Sequence, residues 1–581
     1  MATHAIAHTP AKEGSAVRSG KFWWVKYLLV AGVVCAGGAW MARGKIMIAI
    51  GLREARTVCT DLSVSELKLW SITPAEQSGT HKIGDPIRAE VLLEEGRRLD
   101  PKSLNTDNVA LRRVRGDLKI DATVVLDTDG RTVIVTPSQK LLPQTNYWFG
   151  LSEGIKDDIG NPVSAYQIAF DTAPEGKLNA PRFEQVALPD AQGMGFTCVT
   201  VKYGKLWASV DDGRIMRWAI NPDGSLGERE LFPSLVDHFK GDPRLIGGFT
   251  FDPSSTSDNP ILWVTHTKFG FINVPDWHGK VARISGEKLE KVEDIITNLP
   301  RSARDHVIHQ PSFGPDGGLY FQSGSMSSYG DPDGFWGMRK EHPFAAAVVR
   351  VDTKRLPGQL PIDVKTPEAG GSYDWKNPNA PVQVWASGIR VVYDLNWHSN
   401  GHMYAPTNGS CAGGNAPASD HSVALKNVPD AEHDWLFRVE KGGYYGHPNP
   451  SQGYYVLNGG NPTAGADYAE VPHYPVGTKP EKNWQAAIYD FGNHVSANGS
   501  AEYFTDGPLK NSLIVCRYNM GSDLIALKFD SKGDVAEVID GVEGWEKLEN
   551  PLDVCEDPET GNLYVSEYGG KRCITLIRLV K

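Results

Sequence analysis

Between residues 67 and 175 apolar and polar positions alternate in short runs: LKLWSITP, PIRAEVLLEE, NVALRRV, KIDATVVLDTDGRTVIVTP, NYWFGLSEGI and QIAFDT. A period of two with a β-branched bias predicts strands buried on one face, and turns roughly every ten residues predict a β-sandwich. Thr128-Asp129-Gly130-Arg131 predicts the hairpin turn between VVL and VIV.

Beyond Pro174-Glu175-Gly176 a different pattern repeats. A Gly, Asp or Asn turn leads into an aromatic-rich strand, a polar loop, and a second strand that often carries Arg. Copies begin at Gly204 (GKLWASVDDGRIMRWAINPDG), Asn259 (NPILWVTHT), Gly317 (GGLYFQSGS), Gly401 (GHMYAPTNG), Asn511 (NSLIVCRYN) and Gly561 (GNLYVSEYGG), with anchors at Leu206, Leu262, Leu319, Met403, Leu513 and Leu563. Each copy is expected to supply the inner two strands of a four-stranded blade. Radial closure removes exposed sheet edges, so a complete ring is favoured over a series of sandwiches with coincidental turns. The predicted fold class is all-β: a six-bladed β-propeller over 185–581, behind a β-sandwich over 67–175.

The N-terminal pattern is different. Residues 1–21 are small and polar, and predict a disordered cytoplasmic tail. Residues 22–42, FWWVKYLLVAGVVCAGGAWMA, carry no charge from Tyr27 to Ala42, with Trp23, Trp24 and Trp40 near the edges. Interfacial tryptophans and a snorkelling Lys26 predict one transmembrane helix, although a spanning helix prefers roughly 20 apolar residues. A cleaved signal peptide is the alternative, but no clear A-x-A site follows. Residues 43–66 read as a linker or stalk. The bulk of the chain is then expected on the periplasmic or extracellular side of a single-pass anchor.

With 61 Gly, 38 Pro and a net charge of −11, the chain lacks a long basic run, which argues against nucleic acid as a partner. Seven cysteines are scattered with no C-x-x-C, so neither a zinc site nor a thioredoxin-like motif is indicated.

Two resemblances sharpen these readings. TVIVTPSQKLLPQTNYWFGLSEGIKDDIGNPVSAYQIAFDT resembles bacterial Ig-like domains of exported proteins, making 67–175 a spacer or binding module. Four segments in order resemble the glucose/sorbosone dehydrogenase family, the soluble PQQ-dependent sugar dehydrogenases. They are HVIHQPSFGPDGGLYFQSGS (306–325), QVWASGIRVVYDLNWHSNGHMYAPTNG (383–409), EHDWLFRVEKGGYYGHPNP (432–450) and NPLDVCEDPETGNLYVSEYGG (550–570).

That resemblance implies oxidation of a sugar hydroxyl with pyrroloquinoline quinone (PQQ) as acceptor and a histidine as base, a residue whose ordinary pKa suits the task. The family base lies about eight positions before the Gly of its GPD segment, here Gly314, which selects His306; His309 is a second ligand or a structural residue. Arg390 stands where the family has an Arg that would pair with a quinone carboxylate or polarise a carbonyl. Val391 and Val392 replace the Asn and Pro that follow it in the family, and Gly324-Ser325 replaces a Gly-Asp, with Asp331 and Asp333 nearby. Arg517, Asn519 and Lys571 are expected on the cofactor side. For calcium, the resemblance implies the Asp434 side chain (Glu432 as alternate), a Tyr444 or Tyr445 carbonyl, and the carbonyls of Gly409 and Ser410. His266, Lys268, Glu567, His447 and His494 are candidates by position alone.

The leading expectation is therefore an exported oxidoreductase acting on a sugar or polyol with PQQ and Ca2+, passing electrons to an acceptor protein. The alternatives are a non-enzymatic propeller that binds carbohydrate or protein, and a calcium-dependent lactonase-like hydrolase.

Overall fold

In a computed structural model of the protein, the described residues are 68–580, apart from 74–80, 95, 114–117, 139, 143–144, 173–180, 466–468 and 520. The expected tail, anchor and stalk over 1–66 lie outside them. Among the described residues no helix is long and apolar enough to cross a membrane.

The alternating runs of the first module form strands in two antiparallel four-stranded sheets. One holds Lys68–Thr73, Ile87–Leu92, Thr132–Pro137 and Ala122–Leu126; the other Leu118–Lys119, Val109–Arg113, Asn146–Leu151 and Tyr166–Asp171. Inward-pointing Ile87, Ala89, Val91, Val133, Val135, Phe149, Ile168 and Phe170 fill a single core between them. The hairpin turn falls where the sequence puts it. Gly130 sits at φ 74°, and the Asp129 carboxylate accepts from the backbone N–H groups of Arg131 and Thr132.

Six antiparallel sheets follow. The first holds Phe196–Lys202, Lys205–Val210, Ile215–Ile220 and Leu226–Phe232. The second holds Arg244–Phe251, Ile261–Lys268, Gly279–Ser285 and Lys291–Leu299, with Ile362–Asp363 added in parallel at its edge. The third holds Ser312–Phe313, Leu319–Ser323, Ala347–Val351 and Val382–Ser387. The fourth holds Asn396–Trp397, Met403–Thr407, His433–Val439 and Tyr489–Asn493. The fifth holds Ala497–Glu502, Leu513–Arg517, Asp523–Phe529 and Val535–Ile539. The sixth holds Pro551–Asp557, Asn562–Glu567 and Cys573–Val580, and takes its outer strand, Arg182–Gln192, from the chain segment preceding the first sheet.

The first strands of successive sheets touch in cyclic order, the sixth meeting the first again, which makes the arrangement propeller-like. Side chains reinforce it between neighbours. Thr265 Oγ1 donates to the His309 carbonyl (3.0 Å), Asp394 accepts from Ser500 N (2.8 Å), and Asp553 accepts from Val199 N (2.7 Å). The pattern read from sequence lies one strand further out than expected. Leu206, Leu262, Leu319, Met403, Leu513 and Leu563 belong to the second strand of each sheet, so the repeat is the middle pair of strands. The first strands escape the pattern because two of them are only two residues long, and the rest lack a shared motif.

Candidate functional site

The residues immediately before the first strand of each sheet gather at one end of the six-sheet array. Because the strands are antiparallel, the end of each second strand lies on that same side, one strand further out. This offset decides which predicted residues meet.

His306 and Arg390 meet. Both are buried, and Ser325 links them: its N–H donates to the Arg390 carbonyl (2.8 Å), while its own carbonyl and hydroxyl lie 3.0 Å from His306 Nδ1. The Ser325 hydroxyl proton is committed to the Ser327 carbonyl (2.9 Å), so both Ser325 oxygens act as acceptors toward the ring. Nδ1 therefore carries the imidazole proton, and Nε2, which makes no hydrogen bond among the described residues, carries the lone pair. Burial, followed by the Arg390 charge, holds the His306 pKa well below its ordinary value, which keeps the ring neutral.

The Trp336 ring packs on His306 at 4.0 Å between centroids, and the Arg390 guanidinium lies 5.7 Å from the same Trp336 ring. Arg390 Nη1 donates to the carbonyls of Gly409 (3.0 Å) and Asn408 (3.4 Å), and Arg390 Nε is buried without a partner. Behind them Glu341, fully buried, accepts from Met326 N (2.9 Å), Ser327 Oγ (2.6 Å) and His447 Nε2 (3.2 Å).

Sequence reasoning did not single out Trp336 or Glu341. They lie in the insertion between the second and third strands of the third sheet, residues 324–346. The available signal was a lone Trp and a Glu-His pair inside a Gly- and Asp-rich loop.

His309 is placed differently. It is buried against Tyr393 (5.5 Å between centroids), and neither ring nitrogen has a hydrogen-bond partner. Burial, with the Arg301 charge adding to it, pushes its pKa down to about 3. His266 is likewise buried, accepting at Nδ1 from Arg244 Nε (3.2 Å).

The expected cofactor-side set does not converge. Arg517 is held by Asp523 (2.7 and 2.6 Å) and Asp540 (2.7 Å), its pKa raised by those partners against burial. Asn519 and Lys571 are exposed. A planar, anionic quinone thus finds a fit in part. The unpartnered Arg390 Nε and the Trp336 face match a carboxylate and an aromatic ring, while the second basic group is already neutralised.

The residues of the calcium set are drawn into hydrogen bonds within the protein. The Gly409 carbonyl accepts from Arg390, the Ser410 carbonyl from Glu432 N (2.8 Å), and the Tyr444 carbonyl from Gln485 N (2.8 Å). Asp434, fully buried, accepts from Gly409 N (2.8 Å) on one oxygen and from Ser496 N (2.5 Å) on the other. Burial raises its pKa to about 6. Among the described residues no group of three His, Cys, Asp or Glu side chains is arranged to hold a metal. The five described cysteines are free.

Fold and site together define an all-β chain, in which an Ig-like module precedes a propeller-like array with an imidazole and a guanidinium at one mouth. The bacterial Ig-like domain model matches residues 64–172. Among solved structures, the holo form of the pyranose dehydrogenase PQQ domain from Coprinopsis cinerea is 11% identical, covering 69% of this chain and 98% of that one, with a TM-score of 0.45. A putative phosphatase from Bacteroides thetaiotaomicron is 10% identical, covering 89% and 98%, with a TM-score of 0.35. An auxiliary nutrient binding protein from the same organism is 8% identical, covering 88% and 97%, with a TM-score of 0.32. At these values none of the three carries the functional argument.

Proposed function

We propose that the six sheets form a closed six-bladed β-propeller and that its mouth oxidises a hydroxyl of a sugar or polyol. The observation that carries this reading is the state of His306: proton on Nδ1, Nε2 unbonded, and a pKa held low by burial and Arg390. That is the tautomer and charge a general base requires. His306 Nε2 takes the hydroxyl proton. Arg390, fixed through Nη1, presents Nε to an anionic or carbonyl oxygen, and Trp336 shields the imidazole from water. Pyrroloquinoline quinone, held by Arg390 against Trp336, would supply the two-electron acceptor for the hydride. No step is assigned to calcium. The resemblance of the four segments around 306–570 supports the sugar class. Residues 22–42 would tether the chain with its bulk outside the cytoplasm, within reach of an electron-acceptor protein.

The ion-paired state of Arg517 and the occupied oxygens around Asp434 favour a second reading, a propeller that binds carbohydrate without turnover. Calorimetric titration of the full chain with PQQ, with dye reduction by an aldose panel, separates the two. The first reading expects saturable PQQ binding, and turnover that His306→Ala lowers by about 10²–10⁴-fold. Absence of both PQQ binding and dye reduction overturns it.

A further inference from the structure

A cavity of about 450 Å³ lies between the Ig-like module and the fourth sheet, away from His306. Trp148 and Gln167 line it from the module; Trp435, Glu432, His433 and Asn458 line it from the fourth sheet and its loops. Its size is in the range of small-molecule sites. Between it and Arg390 stands a wall of Gly409, Ser410 and Glu432: Ser410 N donates to Glu432 Oε2 (2.9 Å), and the Gly409 carbonyl faces Arg390.

The cavity is rich in carboxylates, yet it is not a trap for cations. His433 Nδ1 meets Asp490 Oδ2 at 2.8 Å, and this partner, against burial, lifts the His433 pKa to about 9, which favours the imidazolium beside that carboxylate. His473 Nε2 meets Asp430 Oδ2 at 2.7 Å. Each oxygen of Glu432 accepts one N–H, from Ser410 and from Asn458 Nδ2 (2.8 Å), which fixes the carboxylate while leaving further lone pairs. Trp148, more than nine-tenths buried, has an Nε1–H with no partner. The Trp148 ring also occupies space that any side chain at Gly150 would fill, its nearest atom lying 2.5 Å from where a Cβ would stand.

Two carboxylates paired with imidazoles, an oriented Glu432 acceptor, an unmatched donor and two indole rings suit a ligand that both donates and accepts and has an apolar face, such as a neutral polyol. We propose that this cavity is a second binding site, for a neutral saccharide unit, built jointly by the Ig-like module and the fourth sheet. It goes beyond the reading of the mouth and stands whether or not the mouth turns over.

The test is tryptophan fluorescence of the full chain titrated with cellohexaose, xylohexaose, maltohexaose and mannohexaose, with spermidine as a cationic control. At least one oligosaccharide gives a saturable change. Trp435→Ala weakens it about tenfold or more, and Gln167→Ala, at an exposed position whose loss leaves the fold intact, weakens it about threefold, while His306→Ala at the mouth leaves it within about twofold. The site is overturned if no oligosaccharide binds, if spermidine alone saturates, or if His306→Ala abolishes binding that Trp435→Ala and Gln167→Ala leave unmoved.

Discussion

His309 offers the most direct test of how the mouth is organised. An imidazole with two unpartnered nitrogens and a pKa pushed down to about 3 cannot be charged at moderate acidity while the chain stays folded. In the unfolded chain the same ring protonates near 6.5. Between those two values the unfolded state binds the extra proton, so His309 removes stability as pH falls below about 6.5. The loss grows by about 1.4 kcal/mol per pH unit and reaches about 2 kcal/mol between pH 8 and pH 5. The wild-type curve does not isolate this effect. Burial raises Asp434 and Asp553 to about 6, and their contributions run the other way, falling as pH rises from the ordinary aspartate range toward 6. His309→Phe keeps a ring against Tyr393 and removes the two unpartnered nitrogens, and a difference curve cancels the aspartates. Urea unfolding at pH 8 and pH 5, followed by tryptophan fluorescence, should find the variant within about 1 kcal/mol of wild type at pH 8. At pH 5 the variant should gain about 2 kcal/mol on wild type. Equal losses in the two proteins would refute the reasoning, and would mean that the His309 ring reaches water or a hydrogen-bond partner.

Ser325→Ala removes one of the two acceptors that fix His306 Nδ1, and should lower any turnover about tenfold while binding at the mouth changes little, a kcat effect separable from KM in steady-state kinetics. Asp434→Ala leaves at least two buried backbone N–H groups unsatisfied and should cost about 3 kcal/mol, read from the urea midpoint, with no response to added calcium before or after the change. Glu341→Gln keeps the acceptors for Met326 N and Ser327 Oγ but removes the carboxylate beside His447. It should leave the fold intact and shift the acid limb of any pH–rate profile through the His306 neighbourhood.

The parts of the molecule that were legible share a cause. Strand alternation over 67–175 reports a face buried on one side only, and the core of Ile87, Val91, Val133 and Phe149 is what that alternation requires. The six repeats were legible because the middle strands of every sheet are packed on both faces by neighbouring sheets, which imposes a large, flexible apolar side chain at Leu206, Leu262, Leu319, Met403, Leu513 and Leu563. Their radial position was not legible. A buried second strand and a buried first strand leave the same mark on a sequence, and only tertiary contact tells them apart.

That one-strand offset also explains the mixed fate of the candidate residues. Arg390 precedes the first strand of the fourth sheet and so lies further in, where its guanidinium donates through Nη1 to carbonyl oxygens and keeps Nε uncommitted. Arg517 ends a second strand, one position further out, where the third strand of its own sheet begins. There Asp523 lies directly across in the antiparallel register, and Asp540 follows the fourth strand. Two arginines of the same chemistry thus differ in availability through radius alone. An Arg at the end of an outer strand is neutralised by its own sheet, and an Arg before an inner strand is left for a ligand. The same geometry applies to histidines. His306 sits before Ser312–Phe313 with Ser325 beside it and keeps a free nitrogen at the mouth, whereas His309, three residues closer to that strand, is already inside the packed wall. A spacing rule that counts residues from a motif resolves which of the two comes first. It carries no information on how deep the wall begins, because that depends on Tyr393 from the next sheet.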